Sequence, residues 1–198
     1  MKSIVEVNIN RKVDCSRAVA IWNLWDHEHL DVVHNSYENT EILYEKDNVF
    51  FTIRDVTIPF LGIKAGITPI FQVQKDDNTL FVLSIFFGVF SKTTSKIIEI
   101  TKDSCQINTN FKFYLNGWQI ILKPLLKFLI PKWNKKLWDE DLPLKLRRQK
   151  VLRYNFKDFV GLPDKIEDRN YEGDIKVHLP IPRPKNSTRQ LSDRGIKE

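Results

Sequence analysis

The spacing of apolar and polar side chains divides the chain into successive stretches. Residues 4–9 (IVEVNI) alternate apolar and polar positions, which predicts a strand. A helical stretch then follows to about His34, because Val19, Trp22 and Trp25 recur at three-residue steps and Ser16 is a suitable N-cap. The chain is therefore predicted to begin with one strand and one helix.

A strand-rich middle follows the helical stretch. Turn signals such as Asp76-Asp77-Asn78 separate runs of β-branched and aromatic residues. These runs predict five or six strands over residues 41–45, 48–56, 62–74, 80–87, 96–101 and 105–115. The short connections favour an antiparallel meander.

From Gly117 onward the period becomes helical. Proline residues are predicted to kink or divide this segment at Pro124 and Pro131, and a further helix is predicted to begin near Pro143. The pattern decays after Gly161. We therefore expect one domain over residues 1–161 and a tail over residues 162–198 that is partly docked at first and disordered from about residue 182.

This order of elements resembles the helix-grip fold of the START-like (SRPBCC) superfamily over roughly residues 3–157. The resemblance implies an α+β domain in which a curved antiparallel sheet wraps a long C-terminal helix and leaves an internal cavity. Thirteen Phe residues are a generous supply for lining such a cavity. The candidates are Phe50, Phe81, Phe86, Phe87, Phe111 and Phe113, whichever point inward.

Cysteine content and the N-terminus bear on compartment and chemistry. The N-terminal residues lack the apolar stretch of a secretory signal, and no apolar run reaches the ~18 residues of a spanning helix. We therefore expect a cytoplasmic protein with two free thiols, Cys15 and Cys105. Two isolated cysteines do not form an iron–sulfur site, so any electrons must come from another protein.

The positive charge is concentrated in one segment. Residues 112–157 carry 12 basic and 3 acidic side chains, against a net charge of +6 for the whole chain. This segment could face an acidic protein or anionic lipid, or form a solvated helix face. We interpret the apolar stripe of residues 118–138 as the core face of the closing helix, with peripheral membrane contact as the alternative. No recognised nucleic-acid motif accompanies the basic residues, so no nucleic-acid partner is expected.

Three of the four histidines lie within eight residues and are candidate metal ligands. On a helix, His27 and His34 would lie ~10 Å apart along the axis and could not bind one ion. His29 and His34 would be separated by about 140° and would converge only if the helix is distorted or ends between them. Asp26 shares a face with His29 and could orient that ring by accepting its second N–H. The alternative is that His27, Glu28 and His29 are exposed helix polars and His34 is a helix-end residue.

The spacing Asp26-x-x-His29-x-x-x-x-His34 resembles the motif of the catalytic domain of Rieske-type aromatic-ring hydroxylases. The resemblance implies that both histidines bind a mononuclear Fe(II) and that a distant carboxylate completes the ligand set. It also implies that Asp26 connects the iron site to the Rieske cluster of an adjoining subunit in a homotrimer.

The acidic cluster at residues 139–141 resembles the C-terminal acidic signature of the same family. By that match Asp141 is the third ligand, with Asp139 and Glu140 as second choices. Two imidazoles and one carboxylate leave open positions on Fe(II) for O2 and substrate. An exposed helix N-terminus rich in acidic residues is the alternative explanation of this cluster.

Two functions follow from these features. The first is the catalytic domain of a non-haem iron oxygenase that hydroxylates an apolar or aromatic substrate. Because the chain carries no Rieske domain, its electrons would come from a separate ferredoxin or Rieske protein. The second is a metal-free START-like module that binds or carries a lipid, a quinone or another apolar ligand.

Overall fold

The computed structural model describes residues 2–27, 29–46, 48–58 and 62–154, with side chains as far as residue 150. It confirms the predicted α+β helix-grip fold, a curved antiparallel sheet with a long C-terminal helix. The elements are β1 (Lys2–Val13), α1 (Arg17–Trp25), α2 (Leu30–Val33), β2 (Tyr37–Lys46), β3 (Val49–Ile58), β4 (Ile63–Asp76), β5 (Thr79–Phe86), β6 (Val89–Thr101), β7 (Ser104–Asn116), a 3₁₀ helix (Gly117–Leu122) and α3 (Lys123–Tyr154).

The seven strands form one sheet in the order β1-β7-β6-β5-β4-β3-β2. Strands β2 to β7 are the predicted meander, in which each strand pairs antiparallel with the next. Strand β1 closes on the last of them, with Lys2 opposite Asn116 and Val13 opposite Cys105. The first strand of the chain therefore lies at one edge of the sheet and β2 at the other.

Alternate side chains of β7 show that α1 and α3 pack on the same face of the sheet. Cys105 and Ile107 belong to an apolar cluster around α1, and Phe113 and Leu115 belong to a second cluster around Ile130 of α3. Residues at even spacing in a strand point to one side. The inner face of the sheet is therefore covered at one end by α1 and at the other by the first half of α3.

The first helical stretch is interrupted where the sequence predicts one helix to about His34. Ser16 does cap α1, since its Oγ accepts a hydrogen bond from the Val19 N–H at 3.3 Å. The helix ends at Trp25, and Asp26 is extended with ψ at 93°. A single turn, α2, follows with His29 and His34 as its two flanking residues.

The predictions of a division at Pro131 and of a separate helix near Pro143 are wrong, whereas the change from the 3₁₀ helix to α3 does fall next to Pro124. Helix α3 runs for 32 residues with Pro131 and Pro143 inside it, so no separate helix begins near Pro143. Each internal proline removes one N–H donor from the helix. Packing offsets that loss, because Trp133 contacts one apolar cluster and Trp138 and Leu142 contact the other.

The structure also bears on the predicted free cysteines and on membrane helices, but not on the predicted domain end. Cys15 and Cys105 are both free and buried. Within residues 2–154, apart from the gaps given above, no helix is long and apolar enough to cross a membrane. The predicted domain end at residue 161 and the tail over residues 162–198 lie outside the described residues.

Candidate metal centre beside an apolar cavity

The structure brings His29, His34 and Asp141 together, although the aspartate is more than a hundred residues away in sequence. One ligand atom from each lies within 4.8 Å of the other two. The Asp141 Oδ1 atom is 3.1 Å from His29 Nε2 and 3.3 Å from His34 Nε2. The break after α1 permits this convergence, because the two histidines flank one isolated turn instead of lying within a continuous helix.

The second nitrogen of each imidazole faces another carboxylate. His34 Nδ1 is 2.8 Å from Glu140 Oε2, a hydrogen-bond distance. His29 Nδ1 is 3.6 Å from Asp26 Oδ2, an ion-pair distance that is too long for a hydrogen bond. A carboxylate beside Nδ1 would favour the tautomer in which that nitrogen carries the proton and Nε2 offers a lone pair to a metal ion, whereas without an ion the Nε2 N–H can donate to Asp141 instead.

Polar partners on α1 and α3 hold the carboxylates in place. Asp141 Oδ2 accepts hydrogen bonds from Asn23 Nδ2 at 2.9 Å and Lys145 Nζ at 2.7 Å, which leaves Oδ1 to the imidazoles. Arg148 pairs with Asp26 and also donates to Asn23 Oδ1 at 2.9 Å. Both acidic groups therefore have a cationic partner.

The ionisation of the site follows from these contacts. Burial alone would raise the pKa of Asp141, but hydrogen bonds from His29 and His34 and the charge of Lys145 hold that pKa well below its usual range. Burial alone would lower the pKa of His29, but the hydrogen bond to Asp141 and the negative charges of Asp26 and Asp141 outweigh it and raise that pKa. The ionised Asp141 carboxylate therefore favours a positive charge between its oxygen and the two imidazoles. That charge is either a proton or a metal ion.

The donor set fits a divalent transition metal. With metal–ligand bonds of about 2.1 Å, adjacent ligands of an octahedral ion lie about 3 Å apart. The two nitrogen–oxygen separations of 3.1 and 3.3 Å are close to that spacing, whereas the three ligand atoms together span up to 4.8 Å, so the two imidazoles would have to move closer together to hold one ion. Two imidazoles and one carboxylate are the facial triad of non-haem Fe(II) enzymes.

The neighbouring acidic residues point elsewhere. Asp139 forms a 2.5 Å ion pair with Lys135, and the Asp139 side chain is 54% exposed. Glu140 faces Nδ1 of His34. Of the three acidic residues in the cluster, Asp141 is the one whose oxygen lies near both Nε2 atoms.

His27 takes no part in this convergence. Its Nε2 is 3.0 Å from Gln72 Oε1, and its ring stacks on Phe50 at 4.1 Å between centroids. His27 is 5% exposed and the side chain of His29 is 8% exposed. The alternative interpretation of these two histidines as exposed helix polars is therefore wrong.

A cavity of about 190 Å³ lies between the inner face of the sheet and α3. Its wall is mostly apolar, with side chains from β3 to β7 on one side and from α3 on the other, among them Val56, Ile70, Val82, Phe86, Phe111, Phe113, Ile130, Trp133 and Leu137. Three of the six candidate Phe residues, Phe86, Phe111 and Phe113, are among them. Phe50 packs against His27, and Phe87 is 40% exposed.

Tyr37 connects the cavity to the histidines. Its ring lines the cavity and lies edge-on to His34, with 5.6 Å between centroids. Burial raises the pKa of Tyr37 to about 12, against the opposing charge of Arg54, whose guanidinium lies 5.2 Å over the ring. Leu137, one turn before Asp141, also lines the cavity. A ligand in the cavity would therefore lie next to the candidate centre.

The sequence prediction missed the residues that support the site. Asn23 lies three positions before Asp26, and Lys145 and Arg148 lie four and seven positions after Asp141, so helical spacing could have identified them. Tyr37 begins a strand after a turn, and no local signal places its ring against His34.

Solved structures with the same fold share little sequence with this chain. The Zhui aromatase/cyclase from Streptomyces sp. R1128 aligns with a TM-score of 0.59 at 11% identity, over 75% of this chain and 95% of that one. Norcoclaurine synthase from Thalictrum flavum, as a point mutant, aligns at 0.56 and 20% identity, over 75% and 98%. Ara h 8.0201 aligns at 0.59 and 9% identity, over 73% and 99%.

These structures are helix-grip, SRPBCC-type proteins, and at such low identity the likeness shows the fold alone. No family model matches the sequence, and no curated protein matches it. The structural likeness shows that the chain has the helix-grip fold. Its resemblance to the Rieske-type hydroxylases stays a prediction from the motif.

Proposed function

We propose that this chain is the catalytic domain of a mononuclear non-haem iron oxygenase that hydroxylates an apolar or aromatic substrate. The observation that carries the proposal is the convergence of His29 Nε2, His34 Nε2 and Asp141 Oδ1 beside the apolar cavity. Fe(II) bound by these three residues would supply the activation of O2. Asp141 would bring the negative charge, and the two imidazoles would stay neutral.

The other residues of the site would position the ligands and the substrate. Glu140 and Asp26 would hold the two imidazoles in the Nε2-coordinating tautomer, and Asn23 would fix the Asp141 carboxylate. The cavity wall would exclude water around an apolar molecule, with Tyr37 between that molecule and His34.

Electrons would come from a separate ferredoxin or Rieske centre, because Cys15 and Cys105 are both buried and too few for a cluster. Asp26 lies between His29 and Arg148, and in a homotrimer it would provide the contact toward a neighbouring subunit's centre. The separate electron donor and the homotrimer contact are both implied by the motif resemblance.

One observation favours a second function, a metal-free module that binds an apolar ligand. Lys145 Nζ lies 2.7 Å from Asp141 Oδ2 and is 1% exposed, so the carboxylate already has a buried cationic partner. In that case the histidines and Asp141 would form a hydrogen-bonded network that closes the end of the cavity.

Metal stoichiometry after anaerobic reconstitution with Fe(II) distinguishes the two functions. We expect close to one iron per chain in the parent and loss of that iron in His29→Ala, His34→Ala and Asp141→Ala. Asp139→Ala is the matched control, because this neighbouring aspartate is exposed and paired with Lys135. It should keep the full iron content.

The opposite result is equally informative. If the parent holds no specific iron and the three variants bind an apolar dye as the parent does, the oxygenase proposal fails and the binding module stands. The circular dichroism of each variant would show that the fold is retained.

A further inference from the structure

Large apolar side chains are exposed along the 3₁₀ helix and the first turns of α3. Trp118 is 72% exposed, Ile121 76%, Leu125 43% and Phe128 58%. Spacings of three, four and three residues place them along one side of this segment. The sequence prediction that the stripe faces the core is wrong for these residues, because the inward side is formed by others, such as Ile130. A row of exposed large apolar side chains of this kind is a candidate interaction site.

The turn between β5 and β6 belongs to the same surface. Gln119 Nε2 on the 3₁₀ helix donates a hydrogen bond to the Gly88 carbonyl at 3.0 Å. The adjacent Phe87 is 40% exposed and has a φ of 50°, a left-handed conformation that is unfavourable for a bulky residue. We call the five residues Phe87, Trp118, Ile121, Leu125 and Phe128 the apolar ridge.

Lysine residues without acidic neighbours in sequence accompany the apolar ridge. Lys123 and Lys127 alternate with the ridge residues in the sequence, and Lys132 lies beside the ridge in space, with its Nζ 3.8 Å from the centre of the Phe128 ring. The sequence contains no Asp or Glu from residue 104 to residue 138. Aromatic and aliphatic side chains bordered by lysine are suited to the boundary between lipid headgroups and acyl chains.

We propose that the apolar ridge and these lysines dock the protein on the surface of an anionic lipid bilayer. The apolar side chains would enter the boundary region, and the lysine ammonium groups would meet lipid phosphates. A bilayer fits better than an acidic protein, because the surface combines exposed apolar side chains with lysine charge, and an anionic bilayer offers both an apolar layer and phosphates.

The apolar ridge lies next to the cavity, so docking would bring the cavity close to the membrane. Phe86, next to Phe87 in the chain, lines the cavity and contacts Trp133 with 5.3 Å between ring centroids. Thus the ridge adjoins a wall of the cavity, whereas Asp141 lies ~20 Å farther along α3 from Phe128. An apolar ligand dissolved in the membrane would enter near the ridge. The docking itself does not depend on the proposed metal chemistry.

Vesicle co-sedimentation of the full chain tests this proposal. The probes are phosphatidylcholine vesicles and phosphatidylcholine vesicles that also contain phosphatidylglycerol. We expect binding to the second kind, at least tenfold weaker binding to the first, and weakening by salt because lysine–phosphate attraction is screened. The double variants Trp118→Ser/Ile121→Ser and Lys127→Glu/Lys132→Glu should each lose at least tenfold in binding.

Two control variants test whether vesicle binding depends on the apolar ridge, and not on exposed apolar side chains in general or on the candidate metal centre. Ile98→Ser/Ile100→Ser removes two exposed residues, 41% and 49% exposed, at the end of β6 that is remote from the β5–β6 turn, and should bind as the parent does. His29→Ala should also bind normally. Equal binding to both vesicle types, no binding to either, or full binding by the ridge variants would overturn the proposal. Capture of the parent by an acidic protein without vesicle binding would assign the surface to a protein partner.

Discussion

The two ring nitrogens of His34 lie beside two different carboxylates, and the two contacts have different consequences. Nδ1 is 2.8 Å from Glu140 Oε2, and Nε2 is 3.3 Å from Asp141 Oδ1. Because these acids are adjacent on one helix, α3 sets both the tautomer of the ring and the oxygen opposite it. Lys136 Nζ lies 3.7 Å from Glu140 Oε1, so Glu140 also has a cationic partner.

Replacing Glu140 with glutamine tests this arrangement. Glu140→Gln preserves size but removes the charge that favours a proton on Nδ1 of His34. We expect the affinity for Fe(II) to fall by about 10- to 100-fold, the range for residues that hydrogen-bond to metal-ligating histidines. Competition with a chromophoric chelator under anaerobic conditions would measure it. Asp139→Asn should change nothing, and equal affinity in both variants would contradict the assigned role of Glu140.

At the scale of elements, the β5–β6 hairpin shows a local conflict. Its two-residue loop, Phe87 and Gly88, has positive φ at both positions, 50° and 71°, the conformation of a type I′ turn. Asn-Gly is the preferred sequence for that turn, whereas a phenylalanine at the first position costs about 1–2 kcal/mol. Residues that contradict local propensity are expected at functional sites.

Replacing Phe87 with asparagine should separate stability from surface binding. Phe87→Asn would relieve the left-handed strain, so we expect the free energy of unfolding to rise by about 1 kcal/mol. The same change removes part of the apolar ridge, so binding to anionic vesicles should weaken. Urea denaturation and vesicle co-sedimentation would measure the two effects. A fall in stability with unchanged vesicle binding would show that the ring serves packing instead.

Over the whole molecule, the cavity lies between the candidate metal centre and the apolar ridge. Tyr37 and Leu137 border it near the centre, and Phe86 and Trp133 border it near the ridge. Helix α3 contributes to both, but strands β3 to β7 line the cavity and carry none of the three candidate ligands, so a change on one of those strands can alter the cavity independently of the candidate centre.

Filling the cavity should therefore prevent ligand binding without affecting the metal centre. Thr93 on β6 lines the cavity, and Thr93→Phe would occupy part of its volume of about 190 Å³. We expect weaker binding of anilinonaphthalene sulfonate, followed by its fluorescence, with the Fe(II) stoichiometry of the parent. Thr94→Phe is the matched control because adjacent strand residues point to opposite faces. Loss of iron in Thr93→Phe would contradict this independence.

The sequence by itself determined the order of elements and identified His29 and His34 as candidate metal ligands. The alternation in β7, the Ser16 cap and the turn residues act over a few neighbours, so their effects can be predicted from local pattern. Asp26 and His29 were also predicted to be close and lie 3.6 Å apart, but the turn after α1 and not a shared helix face brings them together, because the helix ends at Trp25.

The motif match put Asp141 first among three consecutive acidic residues, but only the tertiary structure decided which carboxylate lies beside the histidines and which side of the C-terminal helix faces the sheet. Asp139, Glu140 and Asp141 are consecutive, and the packing of α3 against α1 directs only the last toward both Nε2 atoms. The segment that begins at Trp118 carries apolar residues on more than one side, so its periodicity does not specify which side is buried. Burial depends on contacts with residues far away in sequence, and local pattern carries no information about their positions.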